Sequence, residues 1–148
     1  MIMLVYYLFF SEKYGRGAAH EDYQMNLELF REIKRYIAYW ETIGMDYVII
    51  NIVGNVVAFM PFGFLVPVMY REQRKGVSYR GHYFQSFLFV TFFGLLSSLA
   101  IETIQLISRV GSFDVDDMFL NTVGVMLGYL CYYLAKQVIA GFRKRRKS

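Results

Sequence analysis

Three stretches of the chain are apolar almost without interruption: Tyr47 to Tyr70, Phe84 to Ile107 and Met118 to Ala140. They hold 24, 24 and 23 residues. At about 1.5 Å per helical residue each reaches roughly 35 Å, enough to cross a hydrocarbon core of about 30 Å. The pattern predicts three transmembrane helices. The opening run MIMLVYYLFF is also apolar but lacks the basic start and small-residue cleavage site of a signal peptide. It reaches only about half way across a bilayer. It reads as the outer half of a first transmembrane helix whose beginning is missing, or as a short interfacial segment. Next comes KYGRGAAHED, a loop. In the stretch that follows, Met25, Leu29, Ile33, Tyr36, Ile37 and Trp40 recur at helical spacing, with Glu28, Arg31, Glu32, Lys34, Arg35 and Glu41 on much of the remaining surface. That alternation predicts an external amphipathic helix, lying on the membrane surface, over the mouth of the bundle, or packed against the other helices. The expected fold is thus all-α: a polytopic membrane helix bundle with three full transmembrane helices, a truncated or short N-terminal one and an external amphipathic helix, in one domain spanning 1–148.

Composition agrees with this reading. Apolar residues make up 56% of the 148, charged residues only 19%, and the mean hydropathy is +0.32; soluble domains carry nearer a quarter charged residues. What lies outside the spans is too short and scattered for a Rossmann, barrel or kinase domain, which excludes a soluble cofactor enzyme. No cofactor or metal ligand set is expected. Cys131 is the single cysteine and sits inside the third span, and His20 and His82 fall in loops on opposite sides of the membrane.

Charge supplies the orientation. Arg71, Arg74, Lys75 and Arg80 follow the first full span, and Arg143, Lys144, Arg145, Arg146 and Lys147 lie in the tail at 141–148. The positive-inside rule puts both in the cytoplasm, with Lys136 snorkelling to the same side. The net formal charge of +4 then divides into +9 on the cytoplasmic side and −5 on the outer side. The basic tail is read as a topology signal and a partner for anionic lipid, not for nucleic acid.

Candidate chemistry lies in polar residues within the spans. Asn51 and Asn55 sit one turn apart; Ser98, Glu102, Gln105 and Arg109 step by four, three and four; Asp117, Asn121, Gly124 and Gly128 do the same. Each set occupies one helix face. With alternating spans, the three faces meet at one depth near the outer surface. Left facing lipid, such groups would cost several kcal/mol, so they should face one another or a water-filled cavity. Gly124 and Gly128 form a GxxxG pattern, which suits close helix contact and offers a route to an oligomer. Pro61 and Gly63 are expected to kink the first full span.

The stretches NIVGNVVAFMPFGFLVP and SLAIETIQLISRVGSFDVDDMFLNTVGVMLGY resemble the signature blocks of VanZ-like membrane proteins, and NLELFREIKRYIAY resembles the external segment that precedes them. The likeness runs from about Asn26 to Tyr129, with Leu29 where the family often has Pro before Phe30. The family is named after an accessory protein of glycopeptide resistance clusters, associated with lowered susceptibility to teicoplanin. The resemblance implies a bacterial cell-membrane location and allows a resistance role.

Three readings stay open. In the first, the cluster binds an envelope amphiphile, such as a lipid-linked cell-wall component or a lipoglycopeptide: Arg109 pairs with phosphate or carboxylate, and Asn51, Asn55, Gln105 and Asn121 hydrogen-bond sugar or peptide. In the second, a membrane enzyme uses Glu102 as acid or base, with Asp117 as its partner or, alongside Asp114 and Asp116, as a ligand to a hard cation. In the third, the cluster is a buried network, Glu102 with Arg109 and the asparagines with backbone, that only fixes helix packing.

Overall fold

The computed structural model describes residues 25–73, 83–109 and 112–146. The N-terminal apolar run, the loop containing His20 and most of the basic loop after the first full span lie outside them. In chain order the elements are β1 (Met25–Asn26), α1 (Arg31–Ala38), α2 (Trp40–Ile43), α3 (Met45–Gln73), α4 (Tyr83–Ser108), β2 (Phe113–Asp114) and α5 (Val115–Arg145). The three long helices coincide with the three apolar windows, and each is long and apolar enough to cross a membrane. α3 runs on through both Pro61 and Pro67.

Burial recurs every third or fourth residue. On α3 the buried positions are Asn51, Asn55, Phe59, Gly63 and Pro67, and on α4 they are Val90, Gly94, Ser98, Glu102 and Gln105. Because α3 and α4 run in opposite senses through the bundle, the polar members of both series fall at one end and the small or apolar members at the other. α5 is the central helix and carries two adjacent buried rows, including Asn121, Val125, Tyr129 and Tyr132.

The apolar end is a core of Phe59, Val90, Val125, Tyr129 and Tyr132, with edge-on ring contacts of Phe64 to Tyr132 and Phe87 to Tyr129. Val125 is its centre. A methyl added at Gly63 of α3 would overlap the Val125 carbonyl oxygen, and one added at Gly94 of α4 would lie 2.6 Å from the Val125 side chain. Gly124 and Gly128 are closed in the same manner against the carbonyls of Val56 and Met60 on α3. The GxxxG face of α5 is therefore packed against α3 of the same chain. Outside, Val53, Val57 and Leu65 on α3, Phe92 and Ile104 on α4, and Leu130 and Leu134 on α5 are all exposed. A bundle with amides and carboxylates inside and branched and aromatic side chains outside has its polarity suited to lipid rather than water.

The external amphipathic helix is shorter than its periodicity suggests. Met25 and Asn26 are extended and pair in parallel with Phe113 and Asp114, a turn occupies the next residues, and the helix begins only at Arg31. A second break at Tyr39 separates α1 from α2. Leu29, which the repeat places on the helix face, lies in the turn.

Candidate functional site

The polar end is assembled from the loop between α4 and α5, the first turn of α5, and facing side chains of α3 and α4. Asp116 is its most constrained member. It is 1% exposed, and its carboxylate accepts hydrogen bonds from the backbone N–H groups of Phe30, Glu32 (2.8 Å) and Ile33 (3.2 Å). These are the N–H groups that the start of α1 leaves without intrahelical partners, and no local side chain caps them. Asp116 thus caps in trans a helix more than eighty residues away.

Asp114 completes the attachment. Its Oδ1 accepts from Asn26 Nδ2 at 3.0 Å and from the Asp116 N–H at 2.8 Å, while its own N–H donates to Glu102 Oε2 at 3.0 Å. Burial raises the Asp114 carboxyl above its ordinary value of 3.8, with the neighbouring Asp116 charge adding to the rise and hydrogen bonds from Asp116 and Asn26 opposing it. Glu32 is likewise raised by burial, against the pull of Arg35 at 2.6 Å.

Below this lies a column of amides. Asn55 donates to Asp117 Oδ1 at 2.5 Å, Asn121 donates to Ser98 Oγ at 2.9 Å, and Asn51 donates to its own helix at the Tyr47 carbonyl, 2.8 Å away. The Asn121 Oδ1 atom is buried without a hydrogen-bond partner. Gln105 is buried and Asp117 half-buried.

The meeting of three faces expected from sequence is present: Asn55 reaches Asp117, Asn121 reaches Ser98, and Glu102 reaches the residue before α5. Glu102 is 2% exposed and bonded to the Asp114 N–H, and Arg109, one residue beyond α4 with φ 56°, is exposed at the same end of the bundle. Asp114, Asp116 and Asp117, adjacent in sequence and read as oxygen ligands for one cation, turn to three different partners, and among the described residues no three His, Cys, Asp or Glu side chains are grouped as metal ligands. Asn26 and the capping role of Asp116 were not foreseen. The nearest signal is negative: no Ser, Thr, Asp or Asn stands just before Arg31 to cap the helix.

Three lipid-facing helices, a buried polar end and an external segment fastened over it define a polytopic membrane helix bundle. More particularly, the chain belongs to the VanZ/LLP1 family, whose model matches residues 1–136. It is 35% identical over 87 residues to Protein VanZ of Enterococcus faecium, a match that covers 59% of this chain and 47% of that protein. The chain therefore matches about half the length of this curated relative. No solved structure matches it.

Proposed function

We propose that the protein is a bacterial cell-membrane protein, C-terminus cytoplasmic, whose polar end faces outward and binds an envelope amphiphile, either a lipid-linked cell-wall component or a lipoglycopeptide. Through that binding it would contribute to lowered susceptibility to teicoplanin-type glycopeptides. Family membership and the relative named Protein VanZ support the setting, and the charge difference between the two sides supports the orientation.

The observation that carries the binding reading is a division of labour among the carboxylates. Glu102, Asp114 and Asp116 are buried and hold the loop and α1 through backbone N–H groups, which is a structural task. Asp117, bonded to Asn55, is half-buried at the mouth, and Arg109 is exposed at the same end. These groups are placed to meet a headgroup, with the exposed apolar helix faces beside them for its chain. Lipids co-purifying with the protein from its own membrane, identified by mass spectrometry, test this against Asp117→Asn and Arg109→Ala. The expected result is a specific lipid or lipoglycopeptide lost from both variants with unchanged thermal stability. An identical lipid profile in wild type and variants would overturn the reading.

A further inference from the structure

We infer that the external segment, residues 27–40, is an interfacial anchor seated in the lipid leaflet on its own side of the bundle. This goes beyond the proposed amphiphile site and does not depend on it. The segment exposes Leu27, Leu29, Phe30, Ile37, Tyr39 and Trp40, more apolar surface than a water-facing helical turn of this length ordinarily shows.

Its depth is set by two ring contacts. Phe30 meets Phe119 edge-on at 5.2 Å, and Tyr36 meets Tyr47 at 5.8 Å. Phe119 lies four residues into α5 and Tyr47 two residues into α3, so both ends of α1 are held about 3–6 Å inside the ends of the spanning helices. The segment lies flat across the bundle at the level of their first turns and does not stand off into water. Its fastening to Asp116 and Asp114 fixes which face looks away from the protein.

The occupant of that face follows from continuity. Trp40 and Tyr39 lead through Gly44, at φ 96°, into α3, whose Met45, Ile49 and Ile50 are also exposed. On the other side, Phe30 abuts Phe119, which is itself exposed. The apolar surface of the segment thus joins the lipid-facing surface of α5 directly through Phe30 and Phe119, and that of α3 across a short exposed polar stretch, Glu41, Thr42 and Asp46, of the kind that sits among headgroups. Exposed Arg31, Lys34 and Arg35 supply cations at headgroup level. Aromatic rings at the boundary and basic residues beside them are what an interfacial lipid surface selects.

Trp40 is the chain's single tryptophan and so reports on this segment alone. The full chain is reconstituted into phosphatidylcholine vesicles brominated either just below the headgroup or near the bilayer centre, with iodide as the aqueous quencher. Emission is expected to fall at least about twofold with shallow bromines, given the 5–10 Å depth of interfacial helices, and less with deep ones. Asp116→Asn, which weakens the fastening but not the spans, should reduce the shallow quenching while leaving the far-ultraviolet helix signal in place. Three results would each overturn the inference: stronger quenching by deep bromines, strong iodide quenching without lipid quenching, or no quenching by either, which would mean that protein covers the face.

Discussion

At the scale of the residue, the turn before α1 shows how a strained conformation is held. The Arg31 N–H donates to the Glu28 carbonyl at 3.3 Å, and Phe30, third in that turn, has φ 66° and ψ 14°. A positive φ at the third position marks a type II turn, whose second position favours Pro. Here that position is Leu29, where VanZ-like sequences often have Pro. Phe30 tolerates the left-handed conformation because its N–H is taken by Asp116 and its ring by Phe119. Leu29→Pro is therefore expected to raise stability by about 0.4–1 kcal/mol, since it restricts the unfolded chain to a conformation already used. Thermal unfolding in detergent would show a higher midpoint, and a lower one would mean that the turn is of another type.

Asp114 carries a pH dependence. Because burial raises its folded pKa, the folded chain binds its proton more tightly than the unfolded chain does. The stabilisation this gives is fully present below the ordinary value of 3.8 and is lost as pH rises through the raised one. Acidifying from neutrality through that window should then stabilise the wild type more than Asp114→Asn, which keeps an oxygen for Asn26 and the Asp116 N–H but does not titrate. Unfolding midpoints of both proteins across the acid range would decide it; parallel curves would count against the burial argument.

At the scale of the element, glycine sets the distance between α3 and α5. Gly63, Gly124 and Gly128 each face a carbonyl oxygen of the opposing helix, which is backbone and cannot turn aside. Alanine at any of them must push the helices apart, at a cost of about 1–3 kcal/mol typical of overpacking. Gly54, on the same helix as Gly63, has its nearest neighbour at 3.9 Å. Gly54→Ala should therefore be neutral or stabilising by up to about 1 kcal/mol through helix propensity. Equal losses at Gly54 and Gly124, measured by thermal unfolding, would show that close approach is not what these glycines provide.

At the scale of the whole molecule, the bundle has a polar end and an apolar end, and charge should decide which faces the cytoplasm. Lys34 is exposed on α1, at the polar end, and Ser148 follows the basic tail. In a Cys131→Ala background, a membrane-impermeant maleimide applied to intact cells should label Lys34→Cys and should label Ser148→Cys only after lysis. The reverse pattern would invert the bundle.

The three spans, the external segment and the convergence of Asn55, Glu102 and Asp117 at one end could all be read from the sequence. Hydrophobic runs of membrane length and the i, i+4 repeat are local signals, and alternation of direction follows from counting spans. The capping of α1 by Asp116, the pairing of Asn26 with Asp114 and the break at Tyr39 could not be read in this way. The first two join residues far apart in the chain, and the helical period runs through Met25 and Leu29 and on past Tyr39 although the helix does not. Sequence alone thus determined what enters the membrane and which faces are polar, because these depend on transfer free energy residue by residue. Only the tertiary structure decided which partner each carboxylate takes, Asp116 the N–H groups at the start of α1 and Asp117 the amide of Asn55, because a buried N–H is satisfied by whatever acceptor the packing brings to it.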